Sequence, residues 1–342
     1  SDKLAEGDKT IVPFKHFMLN YIEYLNKNDI QLDDVDFFFN PRDFPILKER
    51  GMDPYDQIVL DKKLTDNFVH DVYTPILSQC GHTNYHDIRI PTEDDMMRIS
   101  NKIHPDMCKN NYVSSDGSIL EFKTKWENKK PTCVFRGGAT GCGITPETNM
   151  RIKACKISYE WSQDNDKKDL LDAKLTSWNN SRPKFYKGKL VKLKESNFEF
   201  DASKDNFMNI QDQSTYKYIL NIDGHVKAFR LGNELRMGSV VLIVESDYSL
   251  WFQEFLEDKV HYVSVSSDLG NLEKQIRWCI DNDKECEQIA KNAKDFYDKY
   301  LSKKGTYDYF HNIISSLSKR RLPPVYKKSK GKMNIIVAYR NT

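Results

Sequence analysis

Apolar and polar residues recur along this chain in patterns that predict both helices and buried strands. Residues 14–25 carry apolar side chains three or four positions apart, which predicts an amphipathic helix. Residues 35–39 are apolar except for Asp36, and residues 239–244 are apolar after Ser239, which predicts two buried strands. Similar patterns predict further strands over 86–91, 132–136 and 260–265, and further helices over 96–104, 146–156, 269–280, 286–300 and 307–317. Because strands alternate with helices in both halves, the chain is predicted to have an α/β fold.

The stretch 216–265 is the most informative part of the pattern. An apolar strand beginning at Tyr216 runs into a loop with Asp223, Gly224 and His225, a short helix carrying Arg230, and the second strand at 239–244. This is a strand–loop–helix–strand unit with a cation where the loop meets the helix. Such a junction is suited to holding a phosphate group.

A second candidate phosphate loop lies at 137–143, where four of seven residues are glycine. Glycines let backbone amides approach a phosphate closely, and the helix predicted after the loop adds partial positive charge. The segment is neither a dinucleotide fingerprint nor a P-loop, so an ordinary flexible loop is the alternative. Arg151 and Arg230 occupy equivalent positions after two strands and are candidates for binding a diphosphate, against the alternative of ordinary surface arginines.

Asp43 is the candidate general base. It follows a hydrophobic strand and lies between Pro41 and Pro45, which would present its carboxylate rigidly. The alternative is an aspartate that caps a turn. His86, Asp87 and His225 are candidates for substrate contact or for structural hydrogen bonding.

Composition and charge narrow the function. The 342 residues carry a net charge of +2, which does not favour nucleic acid as a partner. No apolar run reaches the length of a membrane span, so no transmembrane segment is expected. The seven cysteines form no CxxC pair, and the acidic pairs at 33–34, 94–95 and 164–166 do not follow clear apolar strands. No metal site is therefore expected, and the cysteines favour a cytoplasmic or other reducing compartment.

The predicted organisation has two main domains, over 10–128 and 129–318, with the polar segment 123–131 as the crossing between them. Residues 319–332 are basic and contain two prolines, which predicts a solvated linker. Residues 333–342 open with an apolar stretch, and we expect a further domain to begin there.

Several of these segments together resemble one glycosyltransferase family, which includes the Rumi-type protein O-glucosyltransferases and the fungal capsule-associated xylosyltransferases. The resemblance covers about residues 14–317. It is carried by motifs in the family's order: Asn40-Pro41-Arg42-Asp43-Phe44-Pro45, His86-Asp87-Ile88, Phe135-Arg136-Gly137 with Arg151, Tyr216-Lys217-Tyr218, Gly224, Ala228-Phe229-Arg230, and Val260-His261-Tyr262.

The resemblance implies two Rossmann-like domains facing a cleft, the GT-B arrangement, and an inverting transfer from a UDP-sugar, with no cofactor and no metal. It implies that Asp43 is the base, with Arg42, Phe44, His86 and Asp87 on the acceptor or sugar side. The UDP-sugar would contact Arg136, Gly137, Gly138, Thr140, Arg151, His225, Val226, Lys227 and Arg230.

By the same resemblance, glucose and xylose are the favoured sugars, a protein or glycan is the acceptor, and the lumen of the secretory pathway becomes a possible location. The alternatives are an inactive nucleotide-sugar or glycan-binding module of the same fold, a metal-dependent transferase, and a hydrolase.

Overall fold

The computed structural model describes residues 11–35, 37–46, 75–100, 120–141, 143–179, 184–186, 189–191 and 198–319. The further domain predicted at 333–342 lies outside these residues, as does all but the first residue of the linker predicted at 319–332.

The helices and strands are numbered in chain order. The helices are α1 (Val12–Lys27), α2 (Glu93–Ile99), α3 (Met150–Ser162), α4 (Ile210–Gln213), α5 (Leu231–Glu234), α6 (Leu272–Asp281), α7 (Asp283–Phe296) and α8 (Lys303–Ser318). The strands are β1 (Phe38–Asn40), β2 (Ile76–Ser78), β3 (Gly81–His82), β4 (Ile88–Arg89), β5 (Lys130–Gly138), β6 (Leu171–Ser177), β7 (Lys184–Tyr186), β8 (Lys189–Val191), β9 (Tyr216–Asn221), β10 (Val240–Val244), β11 (Tyr248–Ser249) and β12 (Val263–Val265). None of these helices is long and apolar enough to cross a membrane.

The chain divides into two compact units. The first contains Ser1–Lys102, Asp247–Trp251 and Lys303–Thr342, and the second contains Ile103–Ser246 and Phe252–Ser302. This division differs from the predicted domains, 10–128 and 129–318. The first stretch of the first unit ends at Lys102, and α8 and a five-residue segment after β10 also belong to that unit.

Among its described residues, the second unit is built on a parallel sheet of five strands in the order β12-β10-β9-β5-β6. All five residues of β10 are buried, as expected for an inner strand of a parallel sheet that is covered on both faces. The chain leaves β5 through α3 to reach β6 on one side, and leaves β9 through α5 to reach β10 on the other. The strand order therefore reverses between β5 and β9, where α/β sheets bind ligands beyond the carboxyl ends of their strands. The predicted α/β fold is confirmed.

The first unit has a small parallel sheet with the order β1-β2-β4. Helices α1 and α8 share its hydrophobic core. Phe14 of α1 stacks on Phe39 of β1 at 3.9 Å between ring centroids, and Phe17 meets Phe310 of α8 edge to face at 4.9 Å. This aromatic packing explains why α8, which was predicted as part of the second domain, belongs to the first unit.

A second small pairing in the first unit involves the segment Asp247–Trp251. Its strand β11 pairs antiparallel with β3, and the indole nitrogen of Trp251 donates to Asp95 Oδ2 at 2.8 Å. Asp95 also completes a capping box with Thr92, which starts α2 at Glu93, three residues before the predicted start of that helix.

The polar segment 123–131 is not the domain crossing that the sequence predicts. Trp126 is buried in the core of the second unit and donates to Asp283 Oδ2 at 3.2 Å, and β5 begins at Lys130. Lys129 is also buried, and its ammonium group donates to the carbonyl oxygens of Ser214 and Met237.

Lys129 makes a testable contribution to the pH dependence of stability. Burial lowers its pKa from 10.5 to about 8, so between these values the unfolded chain binds more protons than the folded chain. The free energy of unfolding should therefore rise with pH across this window through Lys129. We expect a smaller rise between pH 8 and 10 in Lys129→Met, measured by urea denaturation, and an unchanged rise in the exposed control Lys130→Met. Equal slopes in all three proteins would contradict this assignment.

Candidate functional site

The glycine-rich loop after β5 is fixed by one side chain, Asn149. Its Oδ1 accepts hydrogen bonds from the amides of Arg151 at 3.1 Å and Ile152 at 3.3 Å, which caps the start of α3. Its Nδ2 donates to the carbonyl oxygens of Thr140 at 3.2 Å and Gly143 at 3.1 Å. Asn149 therefore ties the loop to the helix that follows it, a role that the sequence analysis did not identify.

Arg151 crosses from the first turn of α3 to the end of β9. Its Nε donates to the carbonyl oxygen of Asp223 at 3.0 Å, and its Nη2 donates to that of Ile222 at 3.0 Å. Its Nη1 donates to the carbonyl oxygen of Gly138 at 3.2 Å and to Thr140 Oγ1 at 2.5 Å. One guanidinium group thus connects the loops that follow β5 and β9.

Arg230 lies where the second loop meets α5. Its Nη1 donates to the carbonyl oxygen of Arg136 at 2.6 Å, and its Nε lies 2.9 Å from Glu234 Oε1. Glu234 is buried and accepts a hydrogen bond from Asn221 Nδ2 at 2.6 Å. Burial raises the pKa of Glu234, and the charge of Arg230 opposes that rise.

The guanidinium groups of Arg151 and Arg230 both lie over the ring of Phe135. The guanidinium carbon of Arg151 lies 5.8 Å from the centroid of Phe135, and that of Arg230 lies 5.2 Å from it. Burial and the nearby charge of Arg230 lower the pKa of Arg151 to about 9, so Arg151 still carries its charge at neutral pH. Among the described residues, no carboxylate lies within ion-pair distance of Arg151. The hydrogen bonds that its guanidinium donates there go to backbone carbonyl oxygens and to the hydroxyl of Thr140. The carboxylates of Asp223 and Glu234 attract Arg151 only from a longer distance, so a bound anion would add a close negative charge.

Arg136 has a different position from the one that the sequence suggests. Its guanidinium donates to Asp172 Oδ2 at 2.6 Å, on the neighbouring edge strand β6. What Arg136 offers to the site is its carbonyl oxygen, which holds Arg230. The hydrogen bonds to Phe135 and Asp172 use Nη1 and Nη2, so a contact of this guanidinium with a diphosphate stays a prediction.

Lys227 links the loop after β9 to the end of β10. This lysine is buried, and its Nζ lies 3.4 Å from Asp223 Oδ1 and donates to the carbonyl oxygen of Val244 at 3.3 Å. The side chain of Lys227 therefore supports the loop, which leaves only its backbone for a ligand contact. The same holds for Val226, whose side chain is buried.

The two loops approach each other closely at Gly224. A Cβ atom added there would meet Thr140 Oγ1 at 2.6 Å and Arg151 Nη2 at 3.3 Å. Gly141 in the first loop has a φ of +118°, a conformation that favours glycine. Glycine is thus needed at both positions to bring together Gly137, Gly138, Thr140 and the loop that contains His225.

The remaining candidates lie in the first unit, where Asn40 holds the loop that carries Asp43. Asn40 is buried at the end of β1, and its Nδ2 donates to the carbonyl oxygen of Phe44 at 2.6 Å and to Ser78 Oγ at 3.0 Å. Its Oδ1 accepts from the amide of Arg42 at 3.0 Å. The carboxylate of Asp43 is exposed between these two fixed points.

Asp87 fixes the far end of the same loop. It is buried, and its Oδ1 accepts from the amide of Ile46 at 3.0 Å and from Ser78 Oγ at 2.5 Å. These contacts make Asp87 a positioning residue for the Asp43 loop, which agrees with the second of the two roles that the sequence offers, structural hydrogen bonding.

An aromatic cluster adjoins this loop. Phe44, which is 37% exposed, meets Tyr248 of β11 with ring centroids 6.4 Å apart. Tyr248 in turn contacts His82 at 4.7 Å, and His82 contacts Tyr85 at 5.3 Å. His86 is exposed beside this cluster.

The described residues contain no cluster of three or more histidine, cysteine, aspartate or glutamate side chains that could hold a metal ion. Their cysteines, Cys80, Cys133, Cys155, Cys279 and Cys286, are buried free thiols. Whether catalysis needs a metal, and in which compartment the chain works, remain predictions from the sequence.

Comparison with known proteins identifies the family of this chain. The chain belongs to glycosyl transferase family 90, whose profile matches residues 7–337. The family resemblance predicted from the motifs is confirmed.

Individual relatives are viral and animal proteins. The chain is 37% identical over 346 residues to the uncharacterized protein 179R of Invertebrate iridescent virus 6. This match covers 92% of this chain and 28% of the viral protein. It is 26% identical over 294 residues to protein O-glucosyltransferase 3 of Mus musculus, covering 85% of this chain and 48% of that protein. It is 26% identical over 313 residues to protein O-glucosyltransferase 1 of Homo sapiens, covering 89% and 66%. The chain thus spans only part of the length of each of these relatives.

Similarity to solved structures is weaker. Anabaena Alr3699/HepE in complex with UDP-glucose gives a TM-score of 0.35 at 13% identity, over 56% of this chain and 50% of that one. A glycosyltransferase from Rickettsia africae gives a TM-score of 0.35 at 10% identity, over 91% and 82%. At these scores the likeness supports no inference about the site.

Proposed function

We propose that this chain transfers a sugar from a UDP-sugar to a hydroxyl group of a protein or glycan, with inversion at the anomeric carbon and without a metal ion. The observation that carries the proposal is the pair of guanidinium groups on Phe135, at the reversal point of a parallel sheet, with Arg151 lacking a carboxylate partner among the described residues. The site therefore presents excess positive charge where such sheets bind ligands.

Arginine suits this role because its planar guanidinium group binds phosphate oxygens in pairs and keeps its charge. The glycine-rich loop adds backbone amides, and the start of α3 adds partial positive charge close to Arg151. When the bond between the sugar and UDP breaks, negative charge develops on the diphosphate. Fixed cations and amides can stabilise that charge in the place of a metal ion.

Asp43 would act on the other reactant. An acceptor hydroxyl attacks the anomeric carbon, the bond from that carbon to the UDP oxygen breaks, and the hydroxyl proton passes to the Asp43 carboxylate. A base must be held in a fixed position to be effective. The backbone contacts made by Asn40 and Asp87 on either side of Asp43 supply that fixation.

The family supports the sugar-transferring activity, and the relatives named protein O-glucosyltransferase favour glucose as the sugar and protein as the acceptor. Xylose differs from glucose by one hydroxymethyl group and stays a second candidate. An open cavity lined in part by Gly137, Arg230, Phe207, Met208 and Ile210 offers space for the rest of the donor.

Titration calorimetry tests the donor assignment directly. We expect UDP, and either UDP-glucose or UDP-xylose, to bind in the presence of EDTA, and GDP-mannose not to bind. NMR of the product should then show the inverted anomeric configuration once an acceptor is supplied. Binding that requires a divalent metal would contradict the metal-free mechanism, and no binding of any UDP compound would remove the proposed donor site.

A further inference from the structure

Lys184 connects an outlying hairpin with the glycine-rich loop. It is the first residue of β7, which pairs only with β8 in the described part of the chain. The sequence around it is rich in lysine, aspartate, asparagine and serine, and predicts a surface excursion. Yet the Lys184 side chain is buried, with 4% exposure.

The buried ammonium group of Lys184 is directed at the loop backbone. Its Nζ donates to the carbonyl oxygen of Ala139 at 2.8 Å and also to that of Gly141. Ala139 is anchored in turn, because its amide donates to the carbonyl oxygen of Ser177 at 2.9 Å. Lys184 thus fixes the loop near its start, at Ala139, and at Gly141, the glycine with a positive φ.

Lys184 and Asn149 together determine which way the loop's peptide groups face. Between them, the two side chains donate hydrogen bonds to the carbonyl oxygens of Ala139, Thr140, Gly141 and Gly143. In a planar trans peptide the N–H points opposite to the C=O. The peptide N–H groups of Thr140 and Gly141 therefore point away from Asn149, which holds the carbonyl of Thr140, and from Lys184, which holds that of Ala139.

We propose that Lys184 is a positioning residue for the diphosphate of the donor, an inference that rests on the proposed function. By holding the carbonyl groups inward it keeps the loop's amides available for phosphate oxygens. It also offsets the negative ends of those carbonyl dipoles, which would otherwise repel an anion. Lys184 acts through the loop and need not touch the substrate.

The test compares Lys184→Met, which keeps most of the length of the side chain without its charge, with Lys189→Met in β8 of the same hairpin, whose lysine is exposed. Affinities for UDP and for uridine are measured by calorimetry, together with KM and kcat for UDP-glucose. We expect Lys184→Met to weaken UDP binding about tenfold or more, the range for a charge-assisted hydrogen bond. Uridine binding and kcat should stay within about twofold, and Lys189→Met should match the unmodified chain.

The ratio of UDP to uridine affinity separates positioning from general stability. If Lys184→Met weakens both ligands equally, or binds UDP as tightly as Lys189→Met does, the inference is overturned. If the unmodified chain does not bind UDP, the proposed function falls first and this inference with it. Should Lys184→Met fail to fold, Lys184→Gln, which keeps a neutral donor, takes its place with the same expectations.

Discussion

Asp43→Asn is expected to lower sugar transfer by about 10²-fold or more while leaving UDP affinity unchanged. The amide keeps the size of the side chain but cannot accept the proton from the acceptor hydroxyl, and general-base catalysis contributes about 10²- to 10⁴-fold. The loop should keep its shape, because Asn40 and Asp87 hold the backbone on either side and neither of them bonds to the Asp43 side chain. Initial rates of UDP release in the presence of acceptor, with calorimetry of UDP, measure the two effects separately.

A suitable control for this variant is Asp33→Asn, which removes an exposed carboxylate elsewhere in the first unit. It should transfer sugar at the rate of the unmodified chain. Near-normal turnover in Asp43→Asn would remove Asp43 as the base. A parallel loss of UDP affinity would mean that the substitution had disturbed more than proton transfer.

Arg230→Ala is expected to weaken UDP binding by about 1.5–3 kcal/mol, the range for hydrogen bonds to charged groups. The substitution also removes the ion-pair partner of Glu234, and a buried carboxylate without its partner is destabilising. We therefore pair it with the double variant Arg230→Ala/Glu234→Gln, in which that carboxylate is absent. If the loss of affinity comes from the missing cation, the two variants should bind UDP equally weakly, whereas their thermal midpoints should differ.

Arg277→Ala provides the matched control. Arg277 also pairs with a glutamate four residues away, Glu273, at 3.0 Å, but on the surface of the same unit. Its removal should leave UDP affinity unchanged. An unchanged UDP affinity in Arg230→Ala itself would show that Arg230 is not part of the donor site.

Much of the fold could be predicted because its signals are local. The apolar spacing over 14–25 corresponds to α1, and the apolar run over 239–244 corresponds to β10. The start of α2 was misplaced because the capping box formed by Thr92 and Asp95 determines it, and the prediction followed the apolar residues that begin at Met96. The polar segment 123–131 was misread for a similar reason. One buried tryptophan within it, Trp126, outweighs the charged residues around it.

The sequence predicted the candidate site only in part, because it shows which residue types are present but not which of them form ion pairs or hydrogen bonds. Arg136, Arg151 and Arg230 look alike in the sequence. In the structure Arg136 forms an ion pair with Asp172, and Arg230 forms one with Glu234. Arg151 instead donates its hydrogen bonds to uncharged oxygens. Lys184 lies more than forty residues from the carbonyl groups that it holds, at a separation of 45 residues for Ala139, so no local pattern could have revealed it.

The route of the chain between the two units limits how this protein can be recombined with a relative. The second unit is interrupted by Asp247–Trp251, which packs in the first unit through the β3–β11 pair and the bond from Trp251 to Asp95. The last helix also returns to the first unit. A chimera joined at one crossover point would take those five residues from the wrong parent and lose their partners. Exchange of donor preference between relatives therefore needs a graft that leaves both returning segments with the recipient.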